Sequence, residues 1–567
     1  MKLKTCCVVV ALSLSNLSYA STMVSETTLV KPNYQFVTDS AATSDGGTII
    51  GGFTDNGQFQ NMDYWVAKLD NNNSMQWQKQ LSANYNDEIT SISQTADGGY
   101  LVAGSSPSIA GGDKTESSKG FSDYWIVKLD AAGNKLWDKT IGGNHYDELT
   151  TARETADGGY ILSGSSRSPV SGDKTLGSFG GDDIWLVKLR ADRTIEWQKV
   201  FGGTGNETGG ALSPTADNGY IILSTSGSGA TGNKTDSSRG NKDFWVFKVD
   251  ANGNLQWQKT IGGSGEDLAA HVIQDRAGNY LIAGSSQSNQ SFEKADNSWA
   301  GTHDYWLLKL SANGHILWQK TLGGTGLDIA SDVIQTLDDG YIVAGRSGSA
   351  MNGNKTVSNA LGINGSEDYW IIKYNEQGNQ EWQLNAGAWQ LDQLKSITQS
   401  NNGNYVLSGD SSSSAGGDKS QSSTLSDAWI VTAAEPIVGQ SNFHFEDMFG
   451  KTKNIFQCIG WDIILNGAAS KNETHYYIDA WKRPIGSTAN FQYSATIGWE
   501  AGIVGKVNLT DKFASAGFSF APGYEYQIKL AVQNLPHFNW VEALETFTVP
   551  SQQYHCAYPT EPVKMKL

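Results

Sequence analysis

The chain is poor in several things that would narrow its function. It has four cysteines in 567 residues, eight histidines and seven methionines. A disulfide-dense scaffold and a Cys/His metal cluster are therefore excluded. Proline is scarce at 11 residues, while aromatic residues make up 11% of the chain. Proline-rich or aromatic-poor disorder does not fit. No internal apolar run approaches the roughly 20 residues that cross a bilayer, and no segment repeats its apolar residues at helical spacing. Positive charge is also short. Lys and Arg number 41 against 58 acids, for a formal charge of −17. That balance repels phosphate backbones and anionic membranes, so neither nucleic acid nor a membrane surface is an expected partner. It suits solubility, and it attracts cations, of which calcium is the candidate outside a cell.

What is present begins with an export signal. Lys2 and Lys4 precede a short apolar stretch, Cys6 to Leu14. Ser18-Tyr19-Ala20 forms a small-x-small cleavage site. Residues 1–20 thus read as a signal peptide, and the mature charge becomes −19 once Lys2 and Lys4 are gone. The expected location is secreted, extracellular or cell-surface, with the periplasm as an alternative. Cys458 and Cys556 are the cysteines left after cleavage. In an oxidising compartment they read as one disulfide, with two free buried thiols as the alternative.

Glycine is abundant, at 64 residues, and it marks a repeat. An Asp-aromatic-Trp triplet or a near variant begins at Asp63, Asp123, Asp183, Asp243, Asp304, Asp368 and Asp427, about 60 residues apart. A turn of the DGGY type keeps the same period, as in Asp97–Tyr100 and Asp157–Tyr160. So does a second tryptophan, at Trp77, Trp137, Trp197, Trp257, Trp318 and Trp382. In the second unit, Ile89–Thr95, Tyr100–Ser105, Tyr124–Leu129 and Leu136–Ile141 read as four strands, a to d, joined by glycine turns. Repeated four-stranded sheets predict an all-β fold, a seven-bladed β-propeller over residues 27–434. An open solenoid is the alternative, and c-d-a-b grouping would close the ring as well as a-b-c-d.

Seven units supply strands a, b and c, but only six supply a Trp-bearing strand d. The missing strand is expected from Thr28–Tyr34, which contains Leu29-Val30-Lys31. Residues 441–567 change texture. Strands near Ile463, Tyr476, Tyr493, Phe518, Tyr526 and Thr546 predict a following β-sandwich domain tied by Cys458 and Cys556. Tyr524, Tyr526, His537, Phe538 and Trp540 are its candidate binding aromatics, with core packing as the alternative.

The units DYW-x-x-KLD, WQKTIGG and DGGY, seen at Asp123–Asp130, Trp137–Gly143 and Asp157–Tyr160, resemble those of secreted bacterial β-propeller repeat proteins. The resemblance covers residues 27–434. It implies the propeller fold and secretion but no activity. The terminal sorting domain of many such proteins has no recognised counterpart in residues 440–567, which leaves the export route open. Asp250, Gly253 and Trp257 resemble, more weakly, the tryptophan-docking motif of quinoprotein-like propellers. That implies shared packing and not the quinone.

Loop length concentrates on one face. The b–c loops carry Gly112–Thr115, Gly172–Thr175, Gly232–Thr235, Gly353–Thr356 and Gly417–Ser420. The d–a connectors end in Asp87, Asp147, Glu207, Asp267, Asp328 and Asp392. With strand a innermost, these six acids would ring the channel mouth as a ligand or cation site; the alternative is that each caps its own turn. Nucleophile-elbow and HExxH motifs are absent from the sequence, so no catalytic residue is assigned. His145 and His271 read as surface residues in or near connectors. The functional expectation is a monomeric binding or scaffold protein, of adhesion type, that recognises an extracellular glycan or protein. An extracellular polysaccharide hydrolase or lyase, a quinoprotein-like oxidoreductase and a purely structural surface protein are the rivals. No cofactor is fixed; calcium is the candidate.

Overall fold

A computed structural model describes residues 22–29, 34–55, 62–360 and 366–434, and, between 463 and 566, seven strands by backbone alone. The chain divides into two compact units at Pro436/Ile437.

Unit 1 contains seven four-stranded antiparallel sheets. In the first, Gln35–Ala42, Thr48–Asp55, Met62–Leu69 and Met75–Leu81 run in order from a to d. The second uses Glu88–Gln94, Tyr100–Ser106, Asp123–Leu129 and Lys135–Ile141, within a residue of the sequence expectation. Each strand a packs against strand a of both neighbours, and blade 7 meets blade 1. The result is a closed, seven-bladed β-propeller.

The repeat residues explain why the blades stack. Strands b and c are buried on both faces, so they read as continuous apolar runs and not as alternation. The core accordingly lies between blades. One cluster joins Ile49, Tyr64, Val66 and Leu81 of blade 1 to Ile92, Val102, Trp125 and Val127 of blade 2. The triplet tyrosine crosses that seam. Tyr64 Oη donates to the Trp125 carbonyl at 3.1 Å, and Tyr369 Oη to that of Trp429 at 3.0 Å. The triplet tryptophan is sealed inside. Trp245 Nε1 donates to Gln258 and Trp306 Nε1 to Gln319, each at 3.0 Å, which satisfies the one polar atom of a buried indole. The second tryptophan docks on the next blade. Trp77 lies 5.7 Å from the Tyr100 ring. Gly133, at φ 82°, is where a Cβ would come within 2.9 Å of Trp77, so that turn needs glycine for both its φ and its space.

The N-terminal strand closes the ring, as expected, but from a different segment. Thr22–Leu29 pairs antiparallel with Asp427–Ala434 of blade 7. The expectation of Thr28–Tyr34 was set too late, because it put Leu29 at the start of the strand. Leu29 in fact pairs with Ala428, as Leu81 pairs with Tyr64 at the end of its strand. Glu26 then falls opposite Val431, the place Gln78 holds opposite Ala67. Glu26 replaces the glutamine as acceptor. Trp429 Nε1 donates to Glu26 Oε2 at 2.8 Å, and the Ser420 amide donates to Oε1 at 3.0 Å. Ser25 stands where the docking tryptophan would be, which hid the strand in the sequence. Leu29, Ala428 and Ile430 join Val37, Ile50, Trp65 and Leu69 of blade 1 in one cluster across the closure. The propeller thus starts ahead of residue 27.

Unit 2 contains a four-stranded antiparallel sheet of Gln492–Glu500, Glu473–Pro484, Tyr524–Asn534 and Asn539–Val549. It also has a three-stranded sheet in which Ile463–Gly467 pairs parallel with Val563–Lys566. The strand expected at Phe518–Phe520 and both cysteines lie outside the described residues, as does the packing of the expected sandwich.

Replacing Glu26 with Ala removes a charged hydrogen-bond acceptor from a buried indole. It is expected to destabilise the propeller by about 2 kcal/mol, measured by denaturant unfolding of the purified protein. An unchanged midpoint would contradict this account of the closure.

Candidate functional site

The long b–c loops are folded inward. The lysine of each Gly-Asp-Lys-Thr type loop is buried; Lys174, for example, is 1% exposed. Its Nζ donates to Ser166 Oγ, Ser178 Oγ and the Ser168 carbonyl, and lies 5.8 Å from the Trp185 ring. Burial pulls Lys114, Lys174, Lys234, Lys294 and Lys355 down to about 8. The preceding Asp or Asn pins the connector behind it, as Asp173 Oδ2 accepts the Gly142 amide at 3.1 Å. Both side chains hold the loop; the lysines are turned away from solvent and the Asp or Asn residues are half-buried.

The six connector acids are fully buried as well. Asp147 accepts the Gly143 amide at 2.7 Å and the Ser166 and Ser168 hydroxyls at 2.5 and 2.9 Å. Glu207, Asp267, Asp328 and Asp392 accept the amides of Gly203, Gly263, Gly324 and Ala388 in the same way. Asp87 accepts Ser108 Oγ at 3.3 Å. The geometry is that of turn caps, with the carboxylates facing protein donors and not the channel mouth. Among the described residues, no three His, Cys, Asp or Glu side chains converge as metal ligands would.

Each connector acid also faces the triplet aspartate of the preceding blade. A Cβ at Gly323 would lie 1.9 Å from Asp304 Oδ1 and 2.7 Å from Asp328 Oδ2, so glycine is what lets the two carboxyls meet. Burial, reinforced by the neighbouring acid, pushes Asp304 and Asp368 up to about 7, and Asp123, Asp183 and Asp243 up to about 6. Holding a proton spares such a pair two buried like charges.

The loop-rich face offers aromatic rings to solvent, among exposed aliphatic side chains such as Ile109 and Val170. Phe121 is 56% exposed and Tyr146 45%. Their rings stack at 5.0 Å with 18° between planes, and His145 meets both edge-on, at 5.2 and 5.3 Å. Tyr85, in the connector from blade 1 to blade 2, and Trp389, in that from blade 6 to blade 7, are exposed as well. The three connectors on the other side carry Gly205, Gly265 and Gly326 in the position of Tyr85 and His145. The connector aromatics therefore do not follow the repeat, and the b–c loops of blades 3 and 5 add exposed Phe179, Phe292 and Trp299 to the same face.

A cavity of about 320 Å³ occupies the axial channel, lined by Asp39, Arg153, His271, Asp332 and Ser396 on the innermost strands. Its wall continues to Gln335, Leu337 and Gln399, so it lies toward the a–b turns, opposite the loop-rich face. His271 is not a connector residue, because Asp267–Gln274 is strand a of blade 5. Its Nδ1 lies 2.5 Å from Asp332 Oδ1, and Asp332 with Asp39 favours its charged form against the cost of burial. Asp332 Oδ2 accepts the Ile397 amide and Ser396 Oγ, at 2.9 and 3.2 Å. Sequence reasoning missed this group. The signal was available in register: Asp39, Ser91, Thr151, Ala211, His271, Asp332 and Ser396 occupy equivalent positions after the bulge of strand a. Four of these are small; three are ionisable.

Fold and faces together define a closed seven-bladed propeller with exposed aromatic rings at one end of its axis and a charged cavity toward the other. No family model matches the sequence. The regulatory protein FlaEY of Caulobacter vibrioides is 25% identical over 168 residues, 29% of this chain and 17% of that protein, so the chain covers a small part of its length. Among solved structures, Sqt1 of Chaetomium thermophilum has a TM-score of 0.38 at 10% identity, over 74% of this chain and all of that one. Kuenenia stuttgartiensis hydrazine synthase scores 0.39 at 8% identity, over 65% and 92%. A GH93 α-L-arabinofuranosidase of Fusarium graminearum scores 0.34 at 10%, over 60% and 92%.

The carboxyl pairs fix a sign for pH. Their folded-state values lie above the roughly 4 of an unfolded carboxyl, so the folded protein holds protons that the unfolded chain has released. Stability is then lost as pH rises through 6 to 7. The thermal midpoint is expected to be higher at pH 5 than at pH 8, and Asp304→Asn to shrink the difference. A midpoint that climbs from pH 5 to pH 8 would contradict the pairing.

Proposed function

We propose that this is a secreted or cell-surface recognition protein that binds an extracellular glycan, or a protein surface, through the exposed aromatic rings of its loop-rich face. The observation that carries the reading is the exposed, stacked Phe121–Tyr146 pair. Leaving two large rings in water is costly, and the protein buries the tyrosines and tryptophans of its Asp-aromatic-Trp triplets. Flat rings with a polar edge suit the C–H faces of a sugar, and Tyr and Trp are the residues that anchor interfaces. The buried acids and loop lysines support the same division of labour: they stiffen the face, and the aromatic residues meet the ligand. Export by the N-terminal signal would put this face outside the cytoplasm.

The rival reading, a polysaccharide hydrolase or lyase, needs two carboxylates free to act in one cleft. Asp39 and Asp332 do face one cavity. Asp332, however, is already bound to His271, Ser396 and the Ile397 amide, which argues for support of the histidine and against acid–base turnover.

The purified mature protein is expected to bind on a glycan array or to an extracellular protein bait. Phe121→Ala and Tyr146→Ala are each expected to weaken that binding roughly tenfold, about 1.4 kcal/mol. Binding that neither replacement affects, or polysaccharide turnover without binding, would overturn the proposal.

A further inference from the structure

The axial cavity holds a charge arrangement that the fold does not require. Four of the seven equivalent channel positions are filled by Ser91, Thr151, Ala211 and Ser396, so small residues are enough to build a blade. Asp39, His271 and Asp332 depart from that pattern, and Arg153 joins them from two residues further along strand a of blade 3. Asp332 fixes His271 from the Nδ1 side. Arg153 is held by Nη1, which donates to Ser91 Oγ at 2.6 Å and to the Ala152 carbonyl at 2.9 Å. Among the described residues its guanidinium has no carboxylate within ion-pair distance, although Asp39 lines the same cavity. Asp39 is itself steadied by the Ser40 and Ile92 amides, at 2.8 and 2.9 Å. Arg153 and Asp39 thus line one cavity, each hydrogen-bonded to its own surroundings with no direct ion pair between them; burial raises Asp39, and the nearby Arg153 opposes that rise.

We infer that the cavity is a binding site for a small carboxylate that also carries hydroxyl or ammonium donors, a sugar acid or an amino acid. The carboxylate spans Arg153 and the Nε2 side of His271; the donor group meets Asp39. A guanidinium presents its N–H groups in a plane that matches a carboxylate. A volume of about 320 Å³ is at the small end of ligand pockets, which suits a single sugar or amino acid and excludes a polymer chain. The site lies away from the exposed aromatic rings and does not depend on them.

The test is titration calorimetry of the full mature chain with D-glucuronate and with L-glutamine, each beside its methyl ester. At least one of the two acids is expected to bind once per chain, and its ester at least tenfold more weakly; which acid binds tells the two sources apart. Arg153→Met is expected to lose at least tenfold in affinity, Arg153→Lys to recover part of it, and Asp39→Asn to weaken binding. Phe121→Ala is expected to leave it unchanged, so the failure of this site and of the aromatic surface can be told apart. If Arg153→Met does not fold, Arg153→Lys and Asp39→Asn carry the test. No binding of either acid at tens of millimolar, an ester equal to its acid, or variants equal to the parent would overturn the inference.

Discussion

A four-stranded sheet with two apolar faces cannot end in water. Each blade here buries both faces against its neighbours, so the stack is stable only if the last blade meets the first. Everything else rests on that closure. It is made by Thr22–Leu29 along strand c of blade 7, and by Leu29, Ala428 and Ile430 packing on Val37, Ile50 and Trp65. Much the same chemistry serves at the seams: a triplet tyrosine or its substitute wedges into the next blade, an indole N–H finds an acceptor, and at four of them a second tryptophan docks on a glycine of the next c–d hairpin, Gly133, Gly253, Gly314 or Gly378. Trp65, Trp125, Trp185, Trp245, Trp306, Trp370 and Trp429 are the largest fully buried side chains. Losing any one would cost about 3–5 kcal/mol.

The repeat made the ring legible because packing constrains each unit alike. The Asp-aromatic-Trp triplets, the DGGY turns and the glycines of the c–d hairpins mark strand ends to within a residue. The closing strand was expected too far along the chain because its tryptophan position is Ser25 and its glutamine position is Glu26. Pattern matching seeks the side chain, whereas the sheet needs only the acceptor and the final apolar residue.

The candidate sites were less legible for a related reason. The most periodic polar residues, the connector acids and the loop lysines, are repeated because every blade needs them to cap and fasten the same turn. Periodicity reported structure in their case. Residues left to serve a ligand are those in which blades differ: Tyr85, Phe121, Tyr146 and Trp389 at one end of the axis, and Asp39, Arg153 and His271, the last backed by Asp332, toward the other. His271 was read as a surface residue because its unit was not aligned with the others strand by strand. Set beside Ser91 and Thr151, it is the exception in a row of small side chains.

Hydrogen exchange tests the closure most directly. Amides of Glu26–Leu29 should exchange as slowly as those of Gln78–Leu81, which hold the same place in blade 1. Fast exchange of Glu26–Leu29, with Asp427–Ala434 still protected, would mean that blade 7 stands without its fourth strand and that the ring is held by something else.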